Sequence, residues 1–251
     1  MYSAIPVKQV SAYAARREPE MPGDYTSLQN RKSQLIRKAK EGSVFVDEMS
    51  SELLTSITAG EDAALALPES LSERDLGWLT EDGVGFSGDI QESTINSFGA
   101  TEPTRREVTT DTTSIAVTAQ ETNIVNIGLY TGNDLAALVP DATTGELIVT
   151  KPPRPRLQHF RVLALSVDEH EGLELYIARY LPRATLARNP EQSYTSGDTA
   201  TTWGMTFTST LDNDAGYSER YFFGGPGWKA RLGDMGFSAS GGGGEPGEEE
   251  G

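Results

Sequence analysis

The run Gly83-Val84-Gly85-Phe86-Ser87-Gly88 spells G-x-G-x-x-G, the fingerprint that seats a pyrophosphate on a helix N-terminus. That chemistry needs a strand before the glycines and a helix after them. Here Glu81, Asp82 and Asp89 flank the run, and carboxylates would repel the phosphate. The glycines therefore read as a tight turn. Asp212, Asp214 and Gly216 hold part of a calcium-loop pattern, but the glycine comes one place early and Phe223 stands where the distal Glu belongs. A hairpin turn fits them better. His159 and His170 fall near the two ends of one predicted strand, on opposite faces, with no third ligand for a catalytic zinc. The chain has no cysteine, which excludes disulfides and thiolate metal sites, and no G-x-S-x-G nucleophile elbow. Among 37 carboxylates an acid and base pair can always be drawn, so no pair carries weight. These residues point to no enzyme and no cofactor.

The elements that would carry such residues are mostly strands. Residues 1–25 mix prolines with small residues and read as an extended arm. Over 26–41, Leu28, Leu35, Ile36 and Ala39 near helical spacing, behind Thr26 or Ser27 as a cap, predict a helix with a basic polar face, either solvated or docked on an acidic neighbour. VFVD (44–47) reads as a short strand, and 48–76 as a loop with one helical turn. Gly77 to Asn123 joins an acidic, Gly-rich turn region to a long strand over 104–120, in which Ile115, Val117 and Ala119 alternate with polar or small residues. A short helix follows from Thr122, capped by Thr122 or Asn123 and closed by Gly132. DATTG (141–145) predicts a turn into a strand over 146–150. KPPRPRL (151–157) reads as a polyproline-like connector or as a basic contact for an acidic neighbour. Strands are predicted over 157–169, 172–187, 202–212 and 217–225, with turns at 169–172 and 213–216. Residues 238–251 form a Gly/Glu-rich acidic tail.

Composition bounds the rest. With 251 residues, 37% hydrophobic residues, 26 Gly and 13 Pro, the chain suits one compact, loop-rich β domain with extensions. The net charge of −16 is uneven: residues 1–42 hold 8 Lys/Arg against 4 Asp/Glu, and residues 43–251 hold 13 against 33. A body so acidic does not grip nucleic acid through its phosphates. The first ten residues contain no signal-like apolar run and no segment has the length of a membrane helix, so the expectation is a protein made in the cytoplasm with no membrane partner.

The order of these pieces carries a resemblance. G-W-L-T-E-D-G at 77–83, a polar segment with Phe98-Gly99, a long strand ending in Q-E-T-N at 120–123, an immediate short helix, then hairpins closing on an aromatic, Gly-rich strand at 220–225: this resembles the major tail protein, or tail tube protein, of long, non-contractile-tailed bacteriophages. The likeness spans about residues 42–227 and is densest over 77–83 and 109–132. It implies a mainly β fold, a β-sandwich or half-barrel with one flanking helix over 43–237, preceded by the arm at 1–42. It further implies hexameric rings stacked into a tube that conducts double-stranded DNA without binding it tightly. The resemblance also implies a tape-measure protein, a tail terminator and baseplate or distal tail proteins as partners, and the virion tail as location. On that reading the basic residues Arg16, Arg17, Arg31, Lys32 and Arg37 are candidates for ring-to-ring contacts, and Glu107, Asp111, Thr206, Thr208 and Thr210 for the channel lining. Alternatives are another virion tail component, for completion or decoration, and a monomeric β-sandwich binding module using exposed aromatics.

Overall fold

The computed structural model describes residues 25–238, apart from 152, 155, 189–191, 193, 195 and 197–199. It divides into two compact units, 1–36 and 37–251. In the first, Tyr25–Leu28 and Ser33–Leu35 each form a single 3-10 turn, which corrects the helix expected over 26–41. Lys32 precedes the second turn without a side-chain cap, and Ile36 is already extended. A helix this short is marginal without a packed face. The C-terminal part of the expected helix is recruited elsewhere, because the Lys38 N–H donates to Asp168 Oδ2 and the Lys40 N–H to the Val167 carbonyl. Edge pairing to a strand there outweighs helix propensity.

In the second unit the chain runs β1 (Glu41–Glu48), a two-residue ladder of β2 (Thr58–Ala59) with β3 (Ala64–Leu65), α1 (Glu69–Ser72), β4 (Leu79–Ile95), β5 (Arg105–Ala119) and α2 (Ile124–Thr131). It continues through β6 (His159–His170), β7 (Leu173–Arg188), β8 (Trp203–Ser209), β9 (Arg220–Gly224), α3 (Pro226–Ala230) and α4 (Leu232–Met235). Six strands form an antiparallel sheet in the order β1-β6-β7-β8-β5-β4, and β9 joins it by pairing with β7. The fold is mainly β with a few short helices, as expected.

Alternation explains which way each strand faces. Val44, Val46, Ile115, Val117, Val162, Met205 and Phe207 bury one face of the sheet under Val125 and Leu129 of α2. On the opposite face Phe45, Leu163, Leu165, Tyr176 and Tyr180 lie under Leu54, Ile57 and Leu71 from the segment between β1 and β4. Each fully buried large side chain contributes about 1.5–3 kcal/mol relative to exposure, so β1, β6 and β7, covered on both sides, form the most heavily buried part. In β7, Pro182 and Arg183 stand together opposite Arg161, a bulge that tolerates a proline inside the sheet. The turn between β6 and β7 carries positive φ at both Glu171 (56°) and Gly172 (77°), the hairpin geometry whose twist suits the flanking strands.

The helix expected from Thr122 is present as α2. Asn123 accepts from the Asn126 N–H at 2.9 Å, and Gly132 closes the helix at φ 75°. Two further expectations are corrected. Residues 83–88 form no tight turn but lie inside β4, and residues 146–150 form no strand, although Asp141 does build the turn before them by accepting from the Thr143 and Thr144 N–H groups. In both cases pairing decides: β5 supplies β4 with a partner, and no described strand lies beside 146–150. The helices α3 and α4 were not anticipated, although Pro226 at the first helical turn and Gly236 with φ 90° after the last are the usual start and stop signals.

Candidate interaction surface

The structure draws attention to the hairpin of β4 and β5. Near its base Gly77 adopts φ 78°, and a Cβ there would fall 2.2 Å from the Glu121 carboxyl carbon. Only glycine leaves room for Glu121 Oε1 to accept from the Trp78 N–H at 2.8 Å. Behind it the Gly77 N–H donates to Asp75 Oδ1. Burial pushes the Asp75 carboxyl above its ordinary value, and the nearby Glu121 charge adds to this. Asn126, fully buried, donates to the carbonyls of Leu76 and Glu121 and so ties this base to α2.

Beyond the base the two strands leave the core. Only the last part of β5, from Ser114 to Ala119, pairs with β8; the Thr113 N–H still donates to Ser209 Oγ and its hydroxyl to Glu219, and from Asp89 and Thr112 outward to Ile95 and Arg105 neither strand pairs with any other described strand. The turn at the end is closed by Thr104, which donates its N–H and its hydroxyl to the Ile95 carbonyl, and Phe98 stands fully exposed there.

Register sorts the hairpin into two unlike faces, because paired residues of adjacent strands point to the same side. Phe86 pairs with Ile115 and Ile90 with Asp111, and past a bulge Glu92 pairs with Val108. This face continues the α2 side of the core outward as an apolar stripe, Phe86, Ile90 and Val108, which remain 42, 63 and 61% exposed. On the other face lie Ser87 with Ser114, Asp89 with Thr112, Gln91 with Thr110 and Ser93 with Glu107. It continues onto β8 and β7, where Ser114 pairs with Thr208 and Thr208 with Thr185. Apart from Ile95 at the far end, where Arg105 is held by Glu107, that face is built of hydroxyl, amide and carboxylate groups.

The residues expected in the channel therefore divide. Glu107, Thr206 and Thr208 share the polar face, and Thr210 follows them one step past the end of β8 with its hydroxyl donated to the Arg183 carbonyl. Asp111 lies on the apolar face. The unpaired Thr109 at the bulge causes this, since it shifts the alternation between Asp111 and Glu107. Of the expected ring-to-ring residues, Arg16 and Arg17 lie outside the described residues. Arg31 and Lys32 belong to the first unit and Arg37 to the second.

Among the described residues no three His, Asp or Glu side chains gather to hold a metal, and no helix is long and apolar enough to cross a membrane. Asp212 caps its own turn by accepting from the Asp214 and Ala215 N–H groups, with Gly216 at φ 75°, as a hairpin turn requires. His159 and His170 are the first and last residues of β6. No protein-family model matches the chain, and no curated protein matches it.

Proposed function

We propose that this chain is a structural subunit that assembles with copies of itself into rings and then a tube, of the kind formed by the major tail proteins of long, non-contractile-tailed bacteriophages. The resemblance stated above motivates the choice of assembly, and one observation carries it: a projecting hairpin with an apolar stripe on one face and a polar surface on the other. A two-stranded hairpin alone is marginal in water, and although the Arg179 guanidinium lies 4.1 Å over the Phe86 ring, Ile90 and Val108 have no described cover within the chain. A neighbouring subunit supplies that cover. The outer edge of β4 is likewise free of a described partner, and strand edges of this kind recruit other chains.

On this reading the polar face, with Glu107, Thr206 and Thr208, is turned to the channel. Carboxylates and hydroxyls there repel or ignore phosphate, so double-stranded DNA passes without sticking. The tape-measure, terminator and baseplate partners follow from the same reading. A map of the assembled tube with a basic lining would overturn this assignment.

The test is negative-stain microscopy of the purified chain beside a variant carrying Phe86→Ser, Ile90→Thr and Val108→Thr. Rings or tubes are expected from the native chain and none from the variant. A second reading, a monomeric binding module, draws on the stacked rings of Phe223 and Trp228, 5.0 Å apart, with the half-exposed Tyr221 and Phe237 alongside. A native chain that stays monomeric at high concentration favours that reading.

A further inference from the structure

The hairpin stripe leaves one other feature unexplained. At the C-terminal end of α2 an open cleft of about 210 Å³ is lined by Thr131, Gly132, Lys151, Arg154, Arg156 and Arg188. Four cations thus converge in a chain whose 21 Lys/Arg are outnumbered by 37 Asp/Glu. Elsewhere several cations meet carboxylates, Lys40 with Glu169, Arg74 with Glu48, Arg161 with Asp212, Arg179 with Glu219 and Arg231 with Glu171, while Arg220 stacks on Tyr217 and Lys229 donates to the Glu61 carbonyl. Among the described residues, none of the four cations in the cleft has such a partner.

The helix end accounts for only one of them. Arg188 Nε donates to the Leu129 carbonyl at 2.7 Å and its Nη2 to Gln158 Oε1 at 3.1 Å, both uncharged acceptors. Burial disfavours its charge. Gly132 makes room for it, since a Cβ there would fall 2.6 Å from Arg188 Nη2. Lys151, Arg154 and Arg156 are exposed at the rim and, among the described residues, hold no helix end in this way. Like charges gathered at one cleft repel, and an anion placed among them relieves that repulsion.

We propose that this cleft docks the carboxylate run at residues 245–250 of a second copy of the chain. Glu248, Glu249 and Glu250 form the longest uninterrupted run of carboxylates in the sequence, with Glu245 just before them, so four carboxylates face four cations. No Lys or Arg interrupts them, whereas Glu107 on the hairpin is already held by Arg105. Gly241 to Gly244 precede the run, and glycine-rich sequence is what gives a charged segment reach.

The fold argues for a second copy over the same chain. A Cβ at Gly227 in α3 would fall 2.9 Å from the Leu173 and Glu174 carbonyls, and Trp228 packs on Phe223 and Phe237, so the described C-terminal end lies near the start of β7. Arg188 is at the other end of that strand. The eleven steps along β7 from Ile177, the partner of Phe223, to Arg188 span roughly 36 Å at about 3.3 Å per residue. A glycine-rich segment of about ten residues averages roughly 16–19 Å end to end, about half of that distance. Donor and acceptor at opposite ends of one strand make a head-to-tail contact between copies, which builds a ring or a filament according to the rotation between them. This inference stands on the cleft and does not depend on tube formation.

The test uses full-length chain and a fluorescent peptide of residues 241–251. The peptide is expected to bind, to bind at least tenfold more weakly to Arg154→Glu/Arg156→Glu, and to weaken as salt is raised. Its four-Glu-to-Lys version is expected to reverse that preference. Equal binding to both chains, or displacement of the peptide by short duplex DNA or inorganic phosphate at lower concentration, overturns the assignment. For the second-copy requirement, Arg154→Glu/Arg156→Glu is mixed with a chain carrying Gln at positions 245, 248, 249 and 250. Both also carry the three hairpin substitutions above, so that only this contact is read. A mixed dimer by sedimentation is expected where neither chain dimerises alone, and its absence overturns the exchange between copies.

Discussion

Single residues fix the two most sensitive points of the structure. Arg161 and Asp212 are both buried, with Nη1 and Oδ2 3.8 Å apart, and Arg161 also donates to the carbonyls of Pro182 and Met49. Removing one member of such a pair leaves the other charge buried and uncompensated. Asp212→Ala is therefore expected to cost about 3–5 kcal/mol, read as a fall in the urea midpoint, while Asp212→Asn keeps the turn and costs less. Asp75 works in the opposite direction. Its carboxyl is raised above the ordinary 3.8 by burial first and Glu121 among the lesser causes, so its contribution to stability is fully present below that value and is lost as pH climbs through the raised one. Asp75→Asn retains an acceptor for the Gly77 N–H. It is expected to raise the thermal midpoint at pH 7, and the difference should close below pH 3.8.

Elements were legible in proportion to their burial. Trp203, Met205 and Phe207 announce β8 because a half-buried strand writes its alternation into the sequence, and Asn123 and Gly132 bracket α2 because helix ends require such residues. β4 was hidden for the converse reason: past Val84, residues 85–95 are exposed, so no apolar period marks them, and pairing with β5 makes the strand. The faces of the hairpin were less legible still. Counting by twos puts Glu107 and Asp111 on one side, and only the register reveals the extra residue at Thr109. Since the outer hairpin contributes little to the core, replacing residues 90–111 by Asn-Gly, so that the Asp89–Thr112 pair closes a tight turn, is expected to leave the unfolding midpoint nearly unchanged. The same excision is expected to abolish ring and tube formation by negative stain. A large loss of stability would show instead that the hairpin belongs to the core.

At the scale of the whole molecule, charge is divided between a basic arm and an acidic body. If Arg31, Lys32 and their neighbours bridge copies, deleting residues 1–36 is expected to slow tube growth by light scattering and to remove part of its salt sensitivity, while circular dichroism of the body is unchanged. The strand order has a different consequence, one of timing. β4–β5 and β6–β7 are local hairpins, but β1 closes on β6 through pairs such as Phe45 with Leu163, and β5 waits for β8 through Ile115 with Phe207. Pairings so distant in sequence form slowly. At a synthesis rate of about 5–20 residues per second, Phe207 emerges roughly 4–18 s after Ala119, so a finished hairpin with a free edge stands exposed on a chain that cannot yet close its core. Seven carboxylates against two arginines over residues 79–111 repel the same hairpin on neighbouring nascent chains. The acidity of that segment then protects the ribosome-bound chain from its own siblings, and on the assembly proposed above it is overcome only when completed subunits offer the stripe a matching surface.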